Sequence, residues 1–298
     1  MNYRNKQRNK VQTLVNVYYG QQADRQALGD LRRTMQLDPE TADTLITRIE
    51  DTMAEIEQEL SETAHRLECG KWASSYVGIV LAAALVDGLG PDLWPQQAIW
   101  SICGLSGRTG QRPLTPRAAI LYLDEEFPGK TVFSPTDIES IREQHRIPID
   151  PASTLDRDAV IRALTQRPYS GFLHMVATRI STVLSRDCKN QWGKLYEMRL
   201  RFEDSMNQRG LYSKQAAEWL ERSSRVSSAN YYADGKLPPW HIIGRARRFV
   251  AKAFLERFII MRREEELGES LPDDWVPLDL LPESKWGPRQ TEGGEEHA

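Results

Sequence analysis

Between positions 42 and 67 an apolar residue recurs at every third or fourth place: Ala42, Leu45, Ile49, Met53, Ile56, Leu60, Ala64 and Leu67. That spacing puts all of them on one stripe of an α-helix, the a/d pattern of a coiled coil. The residues between them are rich in Glu, Asp, Thr and Arg and suit solvent. Asp38-Pro39-Glu40 supplies the start, because Asp38 can cap the first free N–H groups and proline is tolerated at the first helical position. A long helix with a single apolar stripe needs something to cover it. Two partners satisfy it equally: a second copy of the chain, giving a homodimer through the coiled coil, or the helix expected over 11–35, folded back as a hairpin. In that first helix Leu14, Val17, Tyr18, Leu28 and Leu31 can share a broad face, while Gly20 and Gly29 weaken the pattern. Residues 1–10, with Arg4, Lys6, Arg8 and Lys10, read as a flexible basic arm.

The stretch Tyr76-Val77-Gly78-Ile79-Val80-Leu81-Ala82-Ala83-Ala84-Leu85 follows. Gly78 can take a positive φ, and the three alanines favour a helix that another element can approach closely. This is the pattern of a tight hairpin entering a buried helix. The free N–H groups at the helix start, over Gly78, Ile79 and Val80, form a candidate phosphate-backbone site. An ordinary glycine turn before a core helix has the same pattern.

The 105–117 loop carries Arg108, Arg112 and Arg117 among Gly, Ser and Thr, and such a loop can follow a DNA backbone. Residues 116–166 read as an insertion holding three short helical patterns, and further helices are expected over 172–184, 189–208 and 213–223. Over 239–263, Ala246, Phe249, Val250 and Ala253 fall on one helical face and Arg245, Arg248 and Lys252 on another, a basic stripe suited to phosphate. From 264 onward the chain is acidic, contains Pro and Gly, and reads as disordered apart from Trp275 and Trp286. No strand pattern competes with the helical ones.

The whole 298-residue chain carries 39 Lys and Arg against 42 Asp and Glu, a net charge of −3, so any basic surface must be local. Three cysteines (Cys69, Cys103 and Cys188) are too dispersed for a zinc site or a disulfide framework and read as buried thiols. No leader-like apolar segment and no run long enough for a membrane is present, so a cytoplasmic protein is expected. The chain has no phosphate loop, dinucleotide fingerprint, zincin motif or nucleophile elbow, and neither a catalytic set, a metal site nor a cofactor is expected.

Taken together, these pieces resemble the C-terminal half of the DEDD-type insertion-sequence transposases, and more closely a shorter standalone relative found with phages and mobile elements. The resemblance runs through the coiled coil, the Val77–Leu85 stretch, Ile99-Trp100-Ser101-Ile102-Cys103-Gly104-Leu105, Arg167-Pro168-Tyr169-Ser170-Gly171-Phe172-Leu173 and Lys194-Leu195-Tyr196. Its most specific part is Gly235-Lys236-Leu237-Pro238-Pro239 before the basic helix. Val17-Tyr18-Tyr19 with Gln21, Gln22 and Arg25 also matches. The resemblance implies DNA binding in transposition or recombination, with RNA as a further partner because full-length members use a guide RNA. Two departures count against strand transfer by this chain alone. The stretch ahead of the coiled coil is too short for the family's RNase-H-like domain, and Arg112 stands where members carry a nucleophilic serine, with Ser106 nearby.

The resulting expectation is an all-α protein: helices and a coiled coil over 1–69, a helix-hairpin-helix domain over 70–263, and a tail over 264–298. It would act as a DNA-binding transposase-like protein. The alternatives are a structural or regulatory coiled-coil protein without nucleic acid, and a recombinase subunit that borrows its acidic site from another chain.

Overall fold

The computed structural model of the chain describes residues 3–92, 96–105, 114–145, 152, 154–165, 169–222, 226–270 and 276–282. The first elements are α1 (Tyr3–Arg33), α2 (Pro39–His65), α3 (Glu68–Val77), α4 (Ile79–Gly88), α5 (Gln96–Ile102) and α6 (Pro116–Glu126). Then come β1 (Val132–Phe133), α7 (Pro135–His145), β2 (Leu155–Asp156), α8 (Arg157–Thr165) and α9 (Gly171–Leu184). The last are α10 (Gln191–Gln208), α11 (Ser213–Arg222), α12 (Val226–Ala233), α13 (Pro239–Leu267) and a 3-10 turn at Leu278–Leu280. The protein is all-α; among the described residues the only strands are the two-residue β1 and β2. The chain divides into two compact units, Gln97–His174 and the remainder.

In the larger unit, α2 begins as its sequence dictates. The Asp38 carboxylate accepts the Thr41 N–H at 2.9 Å, which holds the carboxyl below its usual range, and Pro39 occupies the first turn. The apolar stripe is taken up within the chain, since α1 folds back antiparallel on α2 and α4 packs on it as well. The cross-links fix the register. Lys10 pairs with Glu59, the Tyr18 hydroxyl donates to Glu57 at 2.6 Å, Arg25 reaches Glu50 at 3.1 Å and Arg32 reaches Asp43 at 3.0 Å. Ala42, Met53, Ile56, Leu60 and Ala64 are buried, so the central part of the stripe needs no second copy of the chain. Leu45 stays 37 % exposed, beyond the cover. α1 also runs unbroken through Gly20 and Gly29 and extends back to Tyr3, so the segment expected as a flexible basic arm is helical. On its other side, Arg179 of α9 lies 3.8 Å from the Tyr19 ring centre and donates to Gln22 at 3.4 Å.

The smaller unit has its own core of Ala119, Leu123, Phe133, Ile138, Ile141, Val160 and Leu164. Its strands pair antiparallel, Val132 opposite Asp156 and Phe133 opposite Leu155. This pairing runs counter to the expectation of no strands, and strands this short leave no alternation to read.

α13 continues four residues beyond the expected limit and stops at Gly268, whose φ of +66° places it in the left-handed conformation that ends helices. The tail is not wholly free of the body. Arg257 grips Asp279 with two contacts, of 2.9 and 3.2 Å, and Glu256 accepts the Leu278 N–H at 2.9 Å. Trp275 and Trp286 lie outside the described residues. No helix among the described residues is long and apolar enough to cross a membrane.

Candidate nucleic-acid interface

The α3–α4 hairpin is a helix, one glycine and a helix. Gly78 has φ +83° and ψ 164°, a backbone region that only glycine occupies without strain. It is exposed, and a Cβ added there would meet nothing within 4 Å. Ala82 is the first residue of α4 whose N–H finds a carbonyl in the helix, that of Gly78 at 3.1 Å. The N–H groups ahead of it, on Ile79, Val80 and Leu81, have none in the helix to accept them. Val80, Ala82, Ala83, Ala84 and Leu85 are buried, so what the hairpin offers outward is backbone. Replacing Gly78 by alanine should cost about 1–3 kcal/mol of stability although the space is empty, because the cost lies in the backbone alone. Urea unfolding of the variant checks this, and a loss below a few tenths of a kcal/mol would contradict the assigned geometry.

α13 pins this hairpin at both of its far ends. At the start of α3, Leu67 has no side-chain cap; instead the Glu265 carboxylate accepts the N–H groups of Glu68 and Cys69 at 2.9 and 3.2 Å. At the end of α4, the buried Arg262 donates to the carbonyls of Val86, at 2.6 Å, and of Leu89, while Arg263 donates to that of Pro91 at 2.6 Å. Both arrangements match the helix dipole, an acid at an N-terminus and a cation at a C-terminus. Gly70 allows the close approach of α2 and α4, since a Cβ there would sit 2.0 Å from the Ala64 carbonyl oxygen.

α10 lies antiparallel along α13, and the contacts descend in order. Trp192 meets Phe254 at 5.2 Å, the Arg199 guanidinium lies 4.4 Å from the Phe249 ring centre, and Glu203 meets Arg245 at 2.7 Å. Asn207 then closes two hydrogen bonds on the buried Leu237 backbone, donating to its carbonyl at 2.9 Å and accepting its N–H at 2.8 Å. The Gly-Lys-Leu-Pro-Pro segment is thereby held rigid. Gly235 takes φ +67° and Pro239 opens α13. Trp72 of α3 stacks on Phe254 at 4.8 Å, and Gln191, at the start of α10, donates to the Tyr76 hydroxyl at 3.5 Å. The hairpin thus adjoins the start of α10, and Arg199 lies on the same face two turns farther along, about 10 Å away.

At that point Arg199 and Arg245 pair with one carboxylate, and Arg248 and Lys252 lie near these arginines. Glu203 is 1 % exposed and accepts Arg199 Nε at 2.9 Å, Arg199 Nη2 at 2.5 Å, Arg245 Nε at 2.7 Å and the Tyr212 hydroxyl at 2.5 Å. Burial pushes its carboxyl up, but the guanidinium groups of Arg245 and Arg199 outweigh that and hold it below the usual range. The Arg245 guanidinium lies over the Tyr212 ring at 4.2 Å. Arg248 is exposed and forms no ion pair among the described residues; the density of its surroundings and the neighbouring Arg245 lower its pKa. Lys252 is half-buried, and burial together with Arg248, Arg199 and Arg245 brings its ammonium down to about 8. Arg248 adds a cation that no ion pair among the described residues offsets, so the face carries positive charge in partly desolvated surroundings, where an anion is bound more strongly than at an open surface.

The expected site residues therefore divide. Of the three residues at the hairpin turn, Gly78 is exposed, Ile79 is half-buried and Val80 is buried. Arg248 is exposed on α13, and Lys252 is half-buried one turn farther along. Arg245 is part-buried, its guanidinium engaged by Glu203 and Tyr212, so it holds the cluster together. Arg117 is exposed on α6 in the smaller unit, and Arg108 and Arg112 lie outside the described residues. Glu203 and Tyr212 were not among the expected residues. The four-residue spacing of Arg199 and Glu203 was the one local signal of their pairing. Cys69 and Cys103 are buried, with thiols pushed up to about 12, whereas Cys188 is exposed, contrary to expectation. Among the described residues no three His, Cys, Asp or Glu side chains converge as metal ligands. Comparison with protein-family models, with curated proteins and with solved structures finds no match to this chain.

Proposed function

We propose that the larger unit binds DNA through its phosphate backbone, in the setting of transposition or recombination. The observation that carries the binding is Arg248, presented to solvent beside the Arg199–Glu203–Arg245 cluster and without an ion pair among the described residues. The exposed hairpin turn at Gly78 offers a second, separate set of backbone donors. The setting rests on the motif resemblance of the sequence, above all the segment from Gly235 to Pro239 and the basic helix after it. Contacts of this kind are salt-sensitive and indifferent to base sequence.

Duplex binding across a salt series tests the reading, with Arg248→Glu as the variant. Arg248 is chosen because Arg245 cannot be reversed without breaking its buried pair with Glu203. Affinity should fall by about tenfold or more in the variant, with a shallower salt slope, while the fold survives. Absence of binding by the unaltered chain at low salt would end this proposal and turn attention to the α1–α2 hairpin as the working surface.

A further inference from the structure

The start of α13 carries an exposed aromatic residue for which the phosphate contacts have no use. Trp240 is 51 % exposed, and Tyr231 of α12, beside it, is 41 % exposed; their ring centres are 6.3 Å apart and nearly perpendicular. Large aromatic side chains left this open cost hydrophobic stabilisation without contributing packing. The layer beneath is firm by contrast. Tyr232 is buried, its hydroxyl lies 3.1 Å from His241 Nε2, and Trp219 sits 5.1 Å from the His241 ring. Burial, with Arg248 and Arg245 nearby, lowers the His241 pKa and so favours the neutral imidazole.

Trp240, Gly244, Arg248 and Lys252 follow one another at intervals of four along α13 and form a slowly winding stripe. Gly244 leaves a notch in it. The Arg248 side chain leans back into that notch, its Nη1 only 3.5 Å from where a Cβ of residue 244 would stand. The guanidinium is thus drawn to about 6 Å along the axis from the Trp240 position. That separation lets one nucleotide place its base on the indole and its phosphate on the guanidinium. A base paired within a duplex shows only its edges and has no free face to offer.

We infer that the Trp240–Gly244–Arg248 stripe binds an unpaired nucleotide of DNA, with the base stacked on Trp240 and the phosphate on Arg248 and Lys252. This rests on the phosphate-binding reading above and narrows it to strands that are open, as at a frayed end or a recombination intermediate. Stacking of this kind tolerates any base, because every base has a π-face.

The test compares three fluorescently labelled probes at fixed salt: a single-stranded DNA oligomer, the same oligomer with abasic sites throughout, and its duplex. The unaltered chain should bind the single strand more tightly than the abasic strand. Trp240→Ala should weaken single-strand binding about tenfold, within the range of aromatic stacking losses, and leave the abasic and duplex affinities unchanged. Trp240→Phe should recover part of the loss, and Arg248→Glu should weaken all three. Equal affinity of the unaltered chain for the single strand and the abasic strand would overturn the inference while leaving the phosphate reading intact. So would an equal loss on all three probes in Trp240→Ala. Failure of the unaltered chain to bind any probe would overturn both.

Discussion

Glu203→Ala should unfold this protein more readily than any other single change at the interface, with a loss of about 3–5 kcal/mol. The carboxylate is sealed at 1 % exposure and is the common acceptor for Arg199, Arg245 and Tyr212. Its removal leaves two guanidinium groups without their counter-charge, beside Arg248 and Lys252. Repulsion among four cations then adds to the desolvation already incurred. Urea unfolding at neutral pH measures the loss, and Glu203→Gln, which keeps the shape and one acceptor oxygen, should lie between. A loss under about 1 kcal/mol would mean that the pair behaves like a surface salt bridge. The direction with pH follows from the same contacts. The folded-state pKa of Glu203 is depressed, so its contribution is present above the ordinary carboxylate pKa and is lost as pH falls through the folded value.

Lys252→Met should have the opposite effect on stability and should weaken binding. The ammonium is brought from 10.5 to about 8 by burial and by Arg248, Arg199 and Arg245. Glu203 lies within the cluster, and Glu256, one turn farther along α13, is buried and engaged with the Leu278 N–H. Because the folded pKa is lowered, the unfolded chain holds more protons between pH 8 and 10.5, and this group makes stability rise with pH across that window. Below pH 8 the full penalty applies, about 3 kcal/mol from the difference in pKa. The methionine variant should therefore be more stable at pH 7 by up to about that amount, with the difference from the unaltered chain vanishing toward pH 10.5. DNA affinity should fall, and any decline in affinity of the unaltered chain through pH 8 should be absent from the variant. Equal stability of the two proteins at pH 7 would remove the argument that a destabilising cation is retained there for its ligand.

The sequence made some of this legible because the relevant contacts are local. Asp38 caps a turn three residues away, Pro39 fits only the first turn, and the stripe on α2 repeats within its own helix. The hairpin glycine was visible for the same reason, since its φ and ψ are a property of one residue. What covers the stripe was not legible, because α1 carries glycines at 20 and 29 whose propensity cost is overridden by packing on α2. The end of α13 was misplaced for a related reason. Glu264 to Glu266 read as solvated tail, yet Glu265 has two N–H partners on α3 and Glu266 has Arg262. The interface shows the same division. The basic stripe could be placed on a helical face from spacing alone, but that Arg245 is committed to Glu203, 42 positions away, could not.

The pinning of the α3–α4 hairpin by α13 bears on how the molecule comes to be made. Glu68 and Glu265 are 197 positions apart, and Val86 and Arg262 are 176 apart. On a ribosome extending at about 5–20 residues per second, the hairpin waits roughly ten to forty seconds for the segment that caps both its ends. Until then α4, apolar over nearly its whole length, has α2 and α1 for shelter but exposes its α13 side. Contacts between such distant positions are slow to form, so the docking of α13 is a late step for the hairpin.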